Sequence, residues 1–150
     1  MRFRGGISLA GGGEFASQGS TSVSFGMAGI DGRIGVQINN IFGIYAQPHL
    51  SFGGGSSGAT GTFAATALVD FTFIDRIFVA AGGGYGLANN PSGPAVHFRA
   101  GAYPLVGRSD GSIVRKGLML GIDARLIFIS DAAPSYTVIQ VMGAIGYEAF

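Results

Sequence analysis

Between Gly61 and Arg76 the side chains alternate. Phe63, Ala65, Ala67, Val69, Phe71 and Phe73 fall on one side, Thr62, Ala64, Thr66, Leu68, Asp70 and Thr72 on the other. A period of two belongs to an extended strand whose two faces meet unlike surroundings. The pattern recurs from end to end, interrupted by short clusters of turn-forming residues: "ASQGSTS", "GGGSSG" and "NNPSGP" read as loops and "GRSDGS" as a turn. It predicts strands over about 2–15, 22–38, 41–53, 61–73, 77–88, 95–106, 114–129 and 136–148. A turn within "GIDGRIG" would split the second strand and make nine. Ile30, Gly32, Ile34, Val36 and Ile38 stay in phase through it, so it is read as whole. Helical periodicity is absent, and frequent glycine weakens any helix by about 1 kcal/mol per residue relative to alanine.

The apolar phase carries Phe42, Ile44, Leu50 and Phe52, then Phe63, Val69, Phe71 and Phe73, then Val79 and Phe98. It continues with Leu118, Leu120, Ile122, Leu126 and Phe128, and with Val141 and Ile145. The opposite phase carries Arg4, Glu14, Asp31, Arg33, Gln47, His49 and Asp70, followed by His97, Arg99, Tyr103, Asp123, Arg125 and Glu148. Most of these strands run to 12 or more residues. Soluble strands average about 5–6 residues, whereas a tilted membrane-crossing strand needs roughly 9–11.

Composition decides which phase is inside. Only 11% of the 150 residues are charged, against about 25% in ordinary globular chains. Hydrophobic residues reach 47%, and mean hydropathy is +0.43. The polar phase holds too few charges to coat a protein in water. Reversing the faces gives an outer band of Phe, Leu, Ile, Val and Ala around a polar interior, the rule for membrane barrels. Glycine, at 28 residues, then has a use. An eight-stranded barrel is just wide enough for its own side chains. Gly82, Gly84, Gly86, Ala64 and Gly121 leave room for Arg33, Arg99, Arg125 and Tyr103. Aromatics near the strand ends suit interfacial belts: Phe3, Phe42, Phe71, Phe73 and Tyr147 at one rim, Phe52, Phe63, Tyr85, Phe128 and Tyr136 at the other. The fold class expected is all-β, one eight-stranded antiparallel up-and-down transmembrane barrel spanning 1–150.

On this patterning the chain resembles the small outer-membrane barrels of Gram-negative bacteria, the outer-membrane protein A/X-like class. The resemblance covers the whole chain and rests on pattern. It implies a bacterial outer-membrane location, with both termini on the periplasmic side and the signal peptide not present in this chain. It also implies a monomeric barrel whose partners are the lipid bilayer (phospholipid, lipopolysaccharide or detergent) and the outer-membrane assembly machinery, which would read the final Phe150. In that class apolar residues alternate in phase with the final aromatic; here Glu148 holds that phase.

Net charge is +1, which gives no reason to expect nucleic acid, and with no cysteine there is neither disulfide nor thiolate site. Interior charges nearly cancel, so a hydrogen-bonded plug is expected, because buried charge is costly unless paired. A narrow passive pore is the alternative. "HLS" sets His49 and Ser51 two apart on one face, similar to the His-x-Ser pair of some lipid A deacylases. The Asn-Ala-Gly that follows in that family is replaced by Phe52, Gly53 and Gly54. Two histidines without a third ligand make a poor metal site. "GGGSSG" (53–58) matches GxGxxG, but a strand follows it where a dinucleotide fingerprint needs a helix. The expectation is a non-enzymatic structural or anchoring barrel with no cofactor. A soluble barrel carrying an apolar ligand and a lipid A-modifying enzyme remain as further alternatives.

Overall fold

Long alternating segments joined by short turns can satisfy their backbone hydrogen bonds only by pairing with neighbours, and closing the sheet leaves no edge unpaired. A computed structural model describes residues 1–108 and 114–150 of the chain. Its strands are β1 (Arg2–Gln18), β2 (Thr21–Gln37), β3 (Phe42–Gly55) and β4 (Gly58–Phe73), then β5 (Ile77–Ala88), β6 (Ser92–Arg108), β7 (Arg115–Ile129) and β8 (Tyr136–Ala149). Each pairs antiparallel with the next, and β1 pairs with β8 to close the barrel. β2 is unbroken: Ile30, Asp31, Gly32 and Arg33 pair in one register with Leu9, Ser8, Ile7 and Gly6, so the strand count is eight.

The strands outrun the sequence expectation at several ends, chiefly around the turns farthest from the termini. "GGGSSG" is not a loop: β3 continues to Gly55 and β4 starts at Gly58, leaving Ser56 and Ser57 as the turn. "ASQGSTS" and "NNPSGP" are likewise shortened by pairing of β1 to Gln18 and of β6 from Ser92. Small polar residues gave no apolar signal there, yet their backbones complete the ladder. At "GRSDGS", Gly107 and Arg108 belong to β6, and the rest of the expected turn lies outside the described residues.

β6 also carries an irregularity with a sequence cause. Its register to β7 shifts by one residue between Ala102 and Leu105, at Pro104, which has no N–H to give the ladder. Tyr103 points inward before the shift and Val106 packs inward after it.

The β4–β5 hairpin turns through Ile74 (φ 52) and Asp75 (φ 58), closed by Arg76 N–H donating to Phe73 O at 3.0 Å. Two left-handed residues suit a hairpin turn, but isoleucine is a poor occupant of that region. Ile74→Asn is expected to stabilise the barrel by about 1 kcal/mol, read as a higher urea midpoint of the refolded protein.

Candidate functional site: the barrel interior

The alternation of each strand sorts side chains to two sides of the wall. Outside are Ile44, Leu50, Phe52, Phe63, Val69, Phe71, Phe73, Val79, Phe98, Leu120, Ile122, Phe128, Val141 and Ile145, all exposed; Phe42, Leu118 and Leu126 share their phase and are half-covered by neighbours. Phe42 and Phe71 lie opposite each other and meet edge to face, centroids 5.5 Å apart, at the rim nearest the termini. The outer wall is thus a continuous apolar surface of the kind that soluble monomers avoid.

Inside stand Arg4, Glu14, Asp31, Arg33, Gln47, His49, Asp70, His97, Arg99, Tyr103, Asp123, Arg125 and Glu148, none more than 4% exposed. Nearest the termini, Arg4 donates to Glu148 Oε1 (2.7 Å), Asp70 Oδ1 (2.6 Å), Gln37 Oε1 (2.8 Å) and the Tyr103 hydroxyl (3.1 Å). One guanidinium therefore ties together β1, β8, β4, β2 and β6. Gly43 makes room for it: a Cβ there would lie 2.6 Å from Gln37 Oε1 and 3.0 Å from Arg4 Nη1. Glu148 also pairs with Arg33 Nε (3.2 Å) and Arg99 Nη2 (3.3 Å). The Arg99 guanidinium lies 4.4 Å from the Phe78 ring centre, a cation–π contact that brings in β5.

Around Asp31, the carboxylate accepts from Arg125 Nη2 at 2.6 Å and Gln47 Nε2 at 3.0 Å, with His49 Nδ1 at 2.9 Å. Asp123 lies 2.8 Å from His97 Nε2 and accepts from Gln47 Nε2 at 3.2 Å. His97 Nδ1 in turn lies 2.9 Å from Thr66 Oγ1. Farthest from the termini, Glu14 accepts from Thr62 Oγ1 (2.6 Å), Gln140 Nε2 (2.8 Å) and Thr60 Oγ1 (3.4 Å). Gln37, Tyr45, Ser8, Ser51, Thr62, Thr66 and Gln140 join this interior net; their phase marks them, although as uncharged residues they carry a weaker signal than the ionised ones.

The interior is less uniformly polar than the sequence suggests. Met27, Phe78, Met119 and Met142 form a buried cluster with Tyr103 and Phe150, and Ile127, Ile129 and Val138 form another with Ala88 and Ala95. Tyr136 packs against this second cluster in the inward phase of β8, so it does not belong to the outer aromatic belt. Phe150 is buried too, stacked on Tyr103 at 4.4 Å. The correction follows from phase: Tyr136 shares the even positions of β8 with Gln140 and Glu148, and Phe150, one residue past the strand, continues that parity.

His49 and Ser51 meet in one detail that spacing alone left open. His49 Nε2 lies 3.0 Å from Ser51 Oγ while Nδ1 faces Asp31, the connectivity of a Ser-His-Asp relay. A nucleophile, however, must reach a substrate carbonyl and a set of oxyanion donors. Ser51 is wholly buried, its hydroxyl accepts from Gln140 Nε2 at 3.2 Å, and Asp31 is held by Arg125. The three residues are members of the interior net. Among the described residues no group of three potential metal ligands gathers.

Neither a protein-family model nor a curated protein matches the sequence. Among solved structures, the chain is similar to Ail, the attachment invasion locus protein of Yersinia pestis in complex with the heparin analogue sucrose octasulfate. The two are 12% identical, 99% of each chain is covered, and the TM-score is 0.71. Another structure of Ail aligns over 99% of both chains with a TM-score of 0.64. Neisserial surface protein A aligns over 97% of this chain and 95% of its own, with a TM-score of 0.60 and 14% identity. Eight antiparallel strands in a closed up-and-down ring, apolar without and polar within, give this chain the fold of the small outer-membrane β-barrels.

Proposed function

We propose that the protein is an integral barrel of a bacterial outer membrane, non-enzymatic and monomeric, with a structural or anchoring role and an interior closed by its own charges. The observation that carries this reading is the junction of Arg4, Arg33 and Arg99 on Glu148, with Arg4 also bound to Asp70, all fully enclosed. Such pairing fills the lumen with groups held by several strands at once. At that level an apolar ligand would meet charged groups already paired with one another, which argues against a soluble carrier. Recognition by the assembly machinery would act on the unfolded chain, because Phe150 is buried once the barrel closes.

Planar-bilayer recording of the refolded protein tests the closed interior. The expected result is a silent membrane; a steady unitary conductance would support the pore instead. A fluorophosphonate probe is expected to leave Ser51 unlabelled in the folded barrel. Labelling lost in Ser51→Ala and in His49→Ala would establish the relay as catalytic.

A further inference from the structure

Glu14 differs from the other interior carboxylates. Asp31, Asp70, Asp123 and Glu148 each have an arginine or histidine partner, whereas Glu14 is held, among the described residues, only by the neutral donors of Thr60, Thr62 and Gln140. It is 1% exposed. Neutral hydrogen bonds solvate a carboxylate but leave its charge standing, and a buried charge is stable when a counter-ion is near. Glu14 also lines a cavity of about 310 Å³ at the mouth farthest from the termini, within the size range of small-ligand pockets. Phe25, Val23, Val138 and the Tyr136 ring supply apolar and aromatic wall, and Thr60 a hydroxyl. The cavity reaches the exposed residues Ser17, Gln18 and Thr21, so it is accessible from the surface. Beside Glu14, Gln140 Oε1 accepts no hydrogen bond from the described residues.

The charge of this mouth is one-sided. Its turns, 18–21, 55–58, 89–92 and 130–135, contain Asp131 and no lysine or arginine. Arg2, Arg76, Arg108, Arg115 and Lys116 all lie at the opposite end of the strands. An approaching cation therefore meets a negative field at the entrance and a fixed carboxylate at the base.

We infer that this mouth cavity binds a compact organic cation, a primary amine on a short apolar body, with the ammonium on Glu14 and the body against Tyr136 and Phe25. The ammonium supplies the missing counter-charge and donors for Glu14. The aromatic faces favour the adjoining methylenes and the cation itself. This goes beyond the structural role proposed above and requires only the closed barrel, not its membrane.

Calorimetric titration of the barrel refolded in a maltoside, a detergent with no ammonium of its own, tests the site. The probe is n-butylammonium, with n-butanol and butyrate as the uncharged and anionic matches. Saturable binding of the amine alone is expected, weakened at least about tenfold in Glu14→Gln. Thr60→Lys, whose side chain can place a tethered ammonium beside Glu14, is expected to abolish it. Heat-modifiable migration on gels confirms that each variant is folded, which keeps a failed barrel distinct from a failed site. Equal binding of butanol, a preference for butyrate, unchanged affinity in both variants, or no binding by folded wild type would each overturn the inference.

Discussion

Glu148→Ala is expected to destabilise the refolded barrel by about 3–5 kcal/mol, the cost of stripping one partner from a buried ionic cluster. The loss falls unevenly on the three guanidinium groups that meet there. Arg4 keeps Asp70, Gln37 and Tyr103, and Arg99 keeps the Tyr45 hydroxyl at 3.0 Å and Asp123 at 3.8 Å. Arg33 keeps the Ser8 hydroxyl at 3.0 Å but loses the one ion pair it makes among the described residues. Most of the penalty is therefore the stranding of Arg33. Adding Arg33→Met to Glu148→Ala should return a large share of the lost stability, because a neutral apolar side chain no longer needs a counter-ion. Urea unfolding in lipid vesicles of wild type, both single variants and the double variant measures the coupling. Additive effects would show that Arg33 and Glu148 do not depend on each other.

The second large effect belongs to the outer wall. Ile122 sits midway along β7, faces outward and is 61% exposed. Were that face in water, arginine there would change stability by no more than about 0.5 kcal/mol. Against hydrocarbon, the same Ile122→Arg change is expected to cost about 2–4 kcal/mol. The two environments thus differ by about tenfold to several hundredfold in the folding equilibrium. Refolding into vesicles, followed by gel mobility with and without boiling, reads the difference. The same substitution at Phe3, beside the rim and 61% exposed, should cost much less, since the penalty falls towards the interface.

Most of the architecture was legible because the pattern repeats. Each long strand carries the same two-sided signal, so one face sorted as apolar and the other as polar across all eight. Ends were harder. Ser17, Gln18, Thr21 and Ser22 pair across the first hairpin, yet their side chains carry no alternation. Backbone hydrogen bonding alone extends those strands. The interior positions were also readable by phase, but their partners were not. That Arg4 reaches Asp70, 66 residues away on a non-adjacent strand, depends on the height of each residue within a tilted barrel. Alternation records which side a residue faces, not how far along the axis it stands. The same limit hid the contact of His49 with Asp31 and the missing counter-ion of Glu14. The inward apolar groups carry no signal of their own: Ile127, Ile129 and Val138 look like any outer-wall residue and only their parity places them inside.

Tryptophan quenching by brominated lipids probes the orientation of the wall most directly, since the chain has no native tryptophan. Single replacements at Phe98 and Phe71 report the outer face, and Phe78→Trp, inside β5, serves as the inward reference. In vesicles, bromines placed deep in the acyl chains should quench Phe98→Trp strongly, those nearer the headgroup should quench Phe71→Trp best, and neither should dim Phe78→Trp. A barrel that stays in buffer without detergent, with all three fluorophores indifferent to brominated lipid, would contradict the account.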